Sequence, residues 1–125
     1  AKGTSGHASV PLPDNALAAL ARAVMRVHAW KAPVKLNDIT RIYFDRLSRI
    51  EKHPEMKAAM LAISRPAATP VQIDRAAKIL SREPLHNAIL RTGQSLTLLN
   101  GGIRNNVIPS EGTATFNTCL LYTSD

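Results

Sequence analysis

From Asn15 to Trp30 the apolar residues Leu17, Leu20, Ala21, Val24, Val27 and Ala29 recur at about 3.6-residue spacing, which gathers them on one face of an α-helix. The Ala-rich filling between them has high helix propensity. Asp14 is the predicted N-cap, its carboxylate accepting from the first free backbone N–H groups, and Pro33 closes the segment. Any fold this chain adopts must cover the apolar face of that helix. With 125 residues there is room for one domain and a modest core.

What precedes the helix is short. Gly6 to Val10 reads as the end of a strand, terminated by Pro11 and Pro13, which offer no backbone donor. After Pro33 the chain reads as three short helices joined by proline turns. The first is capped by Asn37 or Asp38, with Ile39, Ile42, Tyr43, Leu47 and Ile50 on one face. The second opens at Pro54, with Met56, Ala59, Met60 and Ile63 inward. The third opens at Thr69-Pro70 and carries Val71, Ala76, Ile79 and Leu80. Residues 37–83 therefore look like a helical insertion.

Beyond Pro84 the texture changes. Ile89 to Leu99 is rich in Leu and Thr, and Ser95 to Leu98 alternates, which predicts a strand. Asn100-Gly101-Gly102 predicts a turn or bulge. A second strand is expected over 112–118, with Ala114 and Phe116 on one face. The expected fold class is α+β, an incomplete antiparallel sheet packed on the long helix.

Two clusters stand out. One is Gly6-His7-Ala8-Ser9-Val10-Pro11, followed by Asn15-Ala16; the other is Gly101-Gly102, followed by Asn106-Val107-Ile108-Pro109. Each alone has an ordinary explanation. A lone His beside a strand end is more often structural than catalytic, and an Asn beside a glycine turn usually bonds local backbone. Together, in this order, they resemble the lid (dimerisation) domain of the zinc aminoacylase and exopeptidase family, peptidase family M twenty. The resemblance covers residues 2–117, and the helical insertion is similar to a longer linker in some bacterial members.

The resemblance implies a ferredoxin-like lid, four strands with two helices on one face, of which this chain supplies part. It implies that His7 reaches into an active site built mainly by another domain and hydrogen-bonds an oxyanion formed at an amide carbonyl. Asn106 would donate its side-chain amide to the substrate, Gly101 and Gly102 would let backbone approach closely, and Asn15 would brace the histidine loop. Two zinc ions are implied as cofactor, held by His, Asp and Glu residues of a separate domain. No His-x-Asp motif and no Glu-Glu pair occurs here, and His28, His53 and His86 lack metal-ligand spacing, so this chain is expected to bind no metal. The implied partners are a second copy of the chain and a small amide or peptide substrate, with the compartment open between bacterial cytoplasm and periplasm.

The ends carry expectations of their own. The chain opens on Ala1-Lys2-Gly3-Thr4-Ser5-Gly6 and reads as an incomplete piece of a longer protein. The family closes its last shared strand with an acidic residue, an apolar one and a substrate-gripping arginine, where this chain has Asn117-Thr118-Cys119. Residues 119–125 read as a foreign tail, and Cys119, the single cysteine, has no base near it in sequence that would activate it.

The formal charge of +7 raises a second reading, a basic helical module for nucleic acid. The cations are spread along helices rather than clustered, and aromatics make up 4%, too few for a stacking platform, so no nucleic-acid partner is expected. No apolar run approaches bilayer length, and no membrane partner is expected. A third reading is a dimerising domain without catalysis; the presence of both His7 and Asn106 argues against it.

Overall fold

The computed structural model describes residues 1–121; residues 122–125 of the expected foreign tail lie outside the described residues. The chain forms two compact units. The first combines Ala1–Lys31 with Gln94–Thr118, and the second contains Ala32–Gly93 and residues 119–121. The fold class is α+β.

In the first unit, β1 is Gly6–His7, α1 is Ala16–Ala29, β2 is Gly93–Gly101, β3 is Val107–Ile108 and β4 is Gly112–Cys119. The helix caps differently from expectation. Asn15, not Asp14, is the N-cap, its Oδ1 accepting from the N–H groups of Leu17 and Ala18 at 2.9 and 3.1 Å. Asn15 stands immediately before the first helical residue, where a short side chain reaches the free donors. Asp14 turns the other way and accepts from the Thr4 backbone N–H at 2.8 Å and the Thr4 hydroxyl at 2.6 Å. It thereby ties the N-terminal segment to the start of α1.

Ala16 and Leu20 are the buried residues of α1. Its contact with the strands is close enough to exclude side chains at two glycines. A Cβ on Gly112 would lie 2.9 Å from Leu17 and 3.0 Å from Leu20, and one on Gly101 would collide with Leu17. The α1 helix thus packs on the ends of β2 and β4, which pair with each other. The expected strand over 89–99 begins later, at Gly93, because Pro84 starts a helix that takes up Ile89 and Leu90.

The N-terminal edge extends well beyond the two residues of β1. β1 pairs antiparallel with β3, Gly6 opposite Ile108 and His7 opposite Val107. A bridge joins Lys2 and Glu111, the Gly3 N–H donates to Ser110 O at 2.8 Å, and Ala1 and Gly112 exchange bonds of 2.7 and 3.0 Å. Residues 1–8 therefore run along 106–112 as one edge, satisfying backbone groups that would otherwise be left unpaired.

The second unit has four helices: α2 Asp38–Ser48, α3 Pro54–Ser64, α4 Pro70–Leu80 and α5 Pro84–Leu90. Asn37 caps α2 through Thr40, and Thr69 with Gln72 forms a reciprocal capping box on α4. Phe44, Met60, Ile63, Leu80 and Leu90 are fully buried in a common core with Ala59, Ala76 and Ala77. Arg41 donates to the carbonyls of Ile63 and Arg65 at 3.0 and 2.7 Å, closing the C-terminal end of α3.

The inward face of α2 is not the expected one. Ile39 and Ile42 are 75% and 50% exposed, whereas Thr40, Phe44 and Ser48 are buried, with Tyr43 and Leu47 half-buried beside them. Local bonds make the two polar residues cheap to bury. The Thr40 hydroxyl donates to Asn37 Oδ1 at 2.8 Å and the Ser48 hydroxyl to Asp45 O at 2.6 Å. Val71 of α4 is likewise exposed.

Two expectations follow for stability. Leu80→Ala should cost about 2–5 kcal/mol through lost burial and a residual cavity, whereas Ile39→Ala should stay within about 0.5 kcal/mol; urea unfolding of both variants checks the assigned face. The Thr4 hydroxyl, donating to Asp14, holds that carboxyl below the usual carboxylate range. Because the folded value is depressed, the tie is fully present above the ordinary carboxylate pKa and is lost as pH falls through the lowered one. An NMR pH titration of the Thr4 amide should show that acid-side transition, and Asp14→Asn should abolish it.

Candidate functional site

The β1–β3 pairing brings the two sequence clusters together. With His7 opposite Val107, the next N–H, that of Ala8, donates to Asn106 O at 3.0 Å. On the other side the Ser5 hydroxyl donates to Ile108 O at 2.9 Å. Pro109, without an N–H, interrupts the pairing before Gly3 and Ala1 resume it, and at the other end the pairing gives way after Ala8 to the turn closed by Val10. His7 and Asn106 thus sit on neighbouring backbone positions although they are remote in sequence.

His7 is exposed and lies in a turn closed by Val10 N–H donating to His7 O at 2.9 Å. Its Nδ1 lies 2.7 Å from Ser9 Oγ and accepts the Ser9 backbone N–H at 3.3 Å. A backbone N–H can only donate, so Nδ1 is the acceptor and the neutral ring carries its proton on Nε2. Nε2–H has no partner among the described residues. The turn therefore fixes the tautomer and leaves one donor free.

Asn106 is exposed, and its side-chain amide makes no hydrogen bond among the described residues. Gly102 has φ +75°, a left-handed conformation that favours glycine, and it redirects the chain after β2. The close approach seen at Gly101 is to Leu17 of α1. Beside these residues lies a depression of about 520 Å³, lined by Ala8, Asn15, Gly101, Gly102, Arg104 and Asn105 among others. Gly101, Gly102 and Asn15 therefore share one concavity, and Asn15 both caps α1 and forms part of its wall. His7 and Asn106 border it as chain neighbours of Ala8 and Asn105 rather than lining it.

Two residues beyond the sequence reading belong to this arrangement. Ser9 fixes the His7 ring, and the signal for it was the two-residue spacing within a short turn. Arg104 lines the depression, and only its place in the glycine loop marked it. The remaining histidines are dispersed. His28 is exposed on α1, His53 precedes α3, and the His86 ring stands edge-on to Tyr43 and Phe44 at centroid distances of 6.5 and 5.7 Å. Among the described residues no group of three His, Cys, Asp or Glu side chains could hold a metal ion. Cys119 is exposed at the end of β4. In the helical unit Arg49, Lys78 and Arg82 pair with Asp45, Asp74 and Glu55 on exposed surface, where such pairs contribute little stability.

The family profile of the peptidase dimerisation domain matches residues 1–121. The chain is 33% identical over 113 residues to the probable carboxypeptidase S-like 2 of Dictyostelium discoideum, covering 90% of this chain and 20% of that protein. It is 32% identical over 115 residues to the human N-fatty-acyl-amino acid synthase/hydrolase PM20D1, covering 91% of this chain and 22% of that protein. It thus spans about a fifth of the length of the curated relatives it matches. No solved structure matches it. Matched along almost its whole length, the chain belongs to the dimerisation-domain family of the M twenty peptidases.

Proposed function

We propose that this domain is the lid of a hydrolase that cleaves the amide bond of a small substrate bearing a free carboxylate, and that His7 is its catalytic residue. The observation that carries the reading is the His7 turn, in which Ser9 occupies Nδ1 and leaves Nε2–H as the unsatisfied donor. Attack on an amide carbonyl places negative charge on its oxygen, and a preorganised donor aimed there contributes about 3 kcal/mol of transition-state stabilisation. Fixing the tautomer beforehand removes the reorganisation that would otherwise accompany the reaction.

The other site residues have supporting parts. Asn106 offers an unpaired side-chain amide to the substrate, one backbone position from the His7 strand. Gly101 and Gly102 shape the wall of the depression, and Asn15 fixes the start of α1 beneath it. The relatives' names favour the substrate class: a carboxypeptidase releases a residue with a free carboxylate, and an N-fatty-acyl amino acid carries one. The described residues do not fit a metal site, so the implied zinc pair belongs, on this reading, to another domain of the enzyme.

Dimerisation completes the proposal. Met25 and Leu99 are exposed on the first unit and, with Leu17, Leu20 and Val24, line an apolar groove of about 440 Å³. Leu98 is exposed next to Leu99. Apolar surface of this kind is characteristic of an interface, and a family built for dimerisation supports a second copy as partner.

In the complete enzyme, His7→Ala should lower kcat about 100- to 1,000-fold, the range for removal of one oxyanion donor, without loss of bound metal. Steady-state kinetics with metal analysis by mass spectrometry checks this. A kcat within a few-fold of wild type, or zinc lost together with activity, would refute the assignment to His7.

A further inference from the structure

We infer that the helical unit docks on an anionic lipid surface through the outward face of α2, with Ile39, Ile42 and Ile50 entering the lipid and Arg46 meeting its phosphates. The three isoleucines are 75%, 50% and 74% exposed. At 3.6 residues per turn, positions 39, 42, 46, 49 and 50 fall on one side of α2 and the turn that continues it. The opposite side carries the buried Thr40, Phe44 and Ser48, and only that side has a core against it. Solitary exposed isoleucines are ordinary, but three on one ridge form a patch that calls for a partner.

Charge selects the kind of partner. The segment Ala32–Gly93 carries eleven Lys and Arg against six Asp and Glu, a net charge of +5. Arg46 on the ridge and Lys52 just past it are exposed and make no hydrogen bond or ion pair among the described residues. The nearby carboxylates are otherwise engaged. Asp45 pairs with Arg49 at 2.9 Å, Glu51 accepts the His53 N–H at 2.7 Å, and Asp38 lies in the first turn of α2, where the helix dipole favours it. Two copies meeting through this face would bring like charges together. A protein partner would need an acceptor fixed opposite Arg46, in the middle of an apolar patch. An anionic lipid surface supplies phosphates anywhere in its plane, at a depth where an arginine stem can lie beside inserted isoleucines. No helix among the described residues is long and apolar enough to cross a membrane, so the unit lies on the surface. The expectation of no membrane partner rests on the length of apolar runs, and that length bears on spanning alone.

The test is flotation of the complete enzyme with vesicles of phosphatidylcholine alone, or of equal parts phosphatidylcholine and phosphatidylglycerol. The enzyme should float with the anionic vesicles, stay behind with the neutral ones, and be released from the former by high salt. Arg46→Ser should lower the partition coefficient about fivefold, the effect of one cation at such a surface. Ile39→Ser and Ile50→Ser should each lower it about tenfold through lost apolar burial. Both variants should keep their fold by circular dichroism, since these side chains already face water. Binding that is unchanged in both isoleucine variants, and so carried by charge alone, overturns the inference, as does equal binding to neutral vesicles. An enzyme that floats with neither overturns it too, and leaves the ridge to a protein partner or to another domain of the enzyme.

Discussion

The antiparallel contact between residues 1–8 and 106–112 is the constraint on which the first unit depends. It joins the start of the chain to a segment far along it, and His7, Asn106 and the two glycines are placed by that junction or by the loop leading into it, with Asn15 set by its cap on α1. His7 takes its position from Val107, Asn106 from Ala8, and the Gly101–Gly102 turn from the approach of β2 to α1. Without it, the two clusters would be unrelated loops.

Secondary bonds then refine that junction into something chemically specific. Asp14 fastens Thr4, Asn15 fastens the first turn of α1, and Ser9 fastens the His7 ring. Each is a short polar side chain acting on backbone or on a neighbour only a few residues away, except for the Thr4–Asp14 tie. These local bonds cost little ordering entropy because the groups they join are already close. They convert a strand edge into a surface with one imidazole proton and one side-chain amide left unsatisfied.

Much of this was legible in the sequence, and the misses have physical causes. The period of α1 and the proline starts of α3 and α4 fixed those helices, and the order of the two clusters pointed to the family. The α2 face was misjudged because hydrophobicity alone put Ile39 and Ile42 inside. Packing instead selected Phe44 and two small polar residues whose donors were locally satisfied. The first cap was assigned to Asp14 because Asp and Asn are near-equal caps, and only the Thr4 contact distinguishes them. The expected strand takes in Ile89 and Leu90, the last two residues of α5, because they suit either state, although Pro84 carries the same start signal as Pro54 and Pro70. Of the site, residue identities were visible, but neither the Ser9 lock nor the position of Arg104 could be read without the turn geometry.

The second unit has a consequence for how the first is assembled. It interrupts the first unit between Lys31 and Gln94, yet its own ends are tied together: the Lys35 N–H donates to Leu90 O at 3.0 Å, and Arg91 reaches Ala32 O at 3.4 Å. Its helices are consecutive and make their contacts locally, which favours rapid formation. Once folded, it presents to the rest of the chain a short closed staple in place of a long flexible loop. The entropy of closing that loop is then settled within the helical unit, before the distant strands meet. A large insertion of this design leaves the nucleation of the sheet around it almost as easy as in a chain that never carried it.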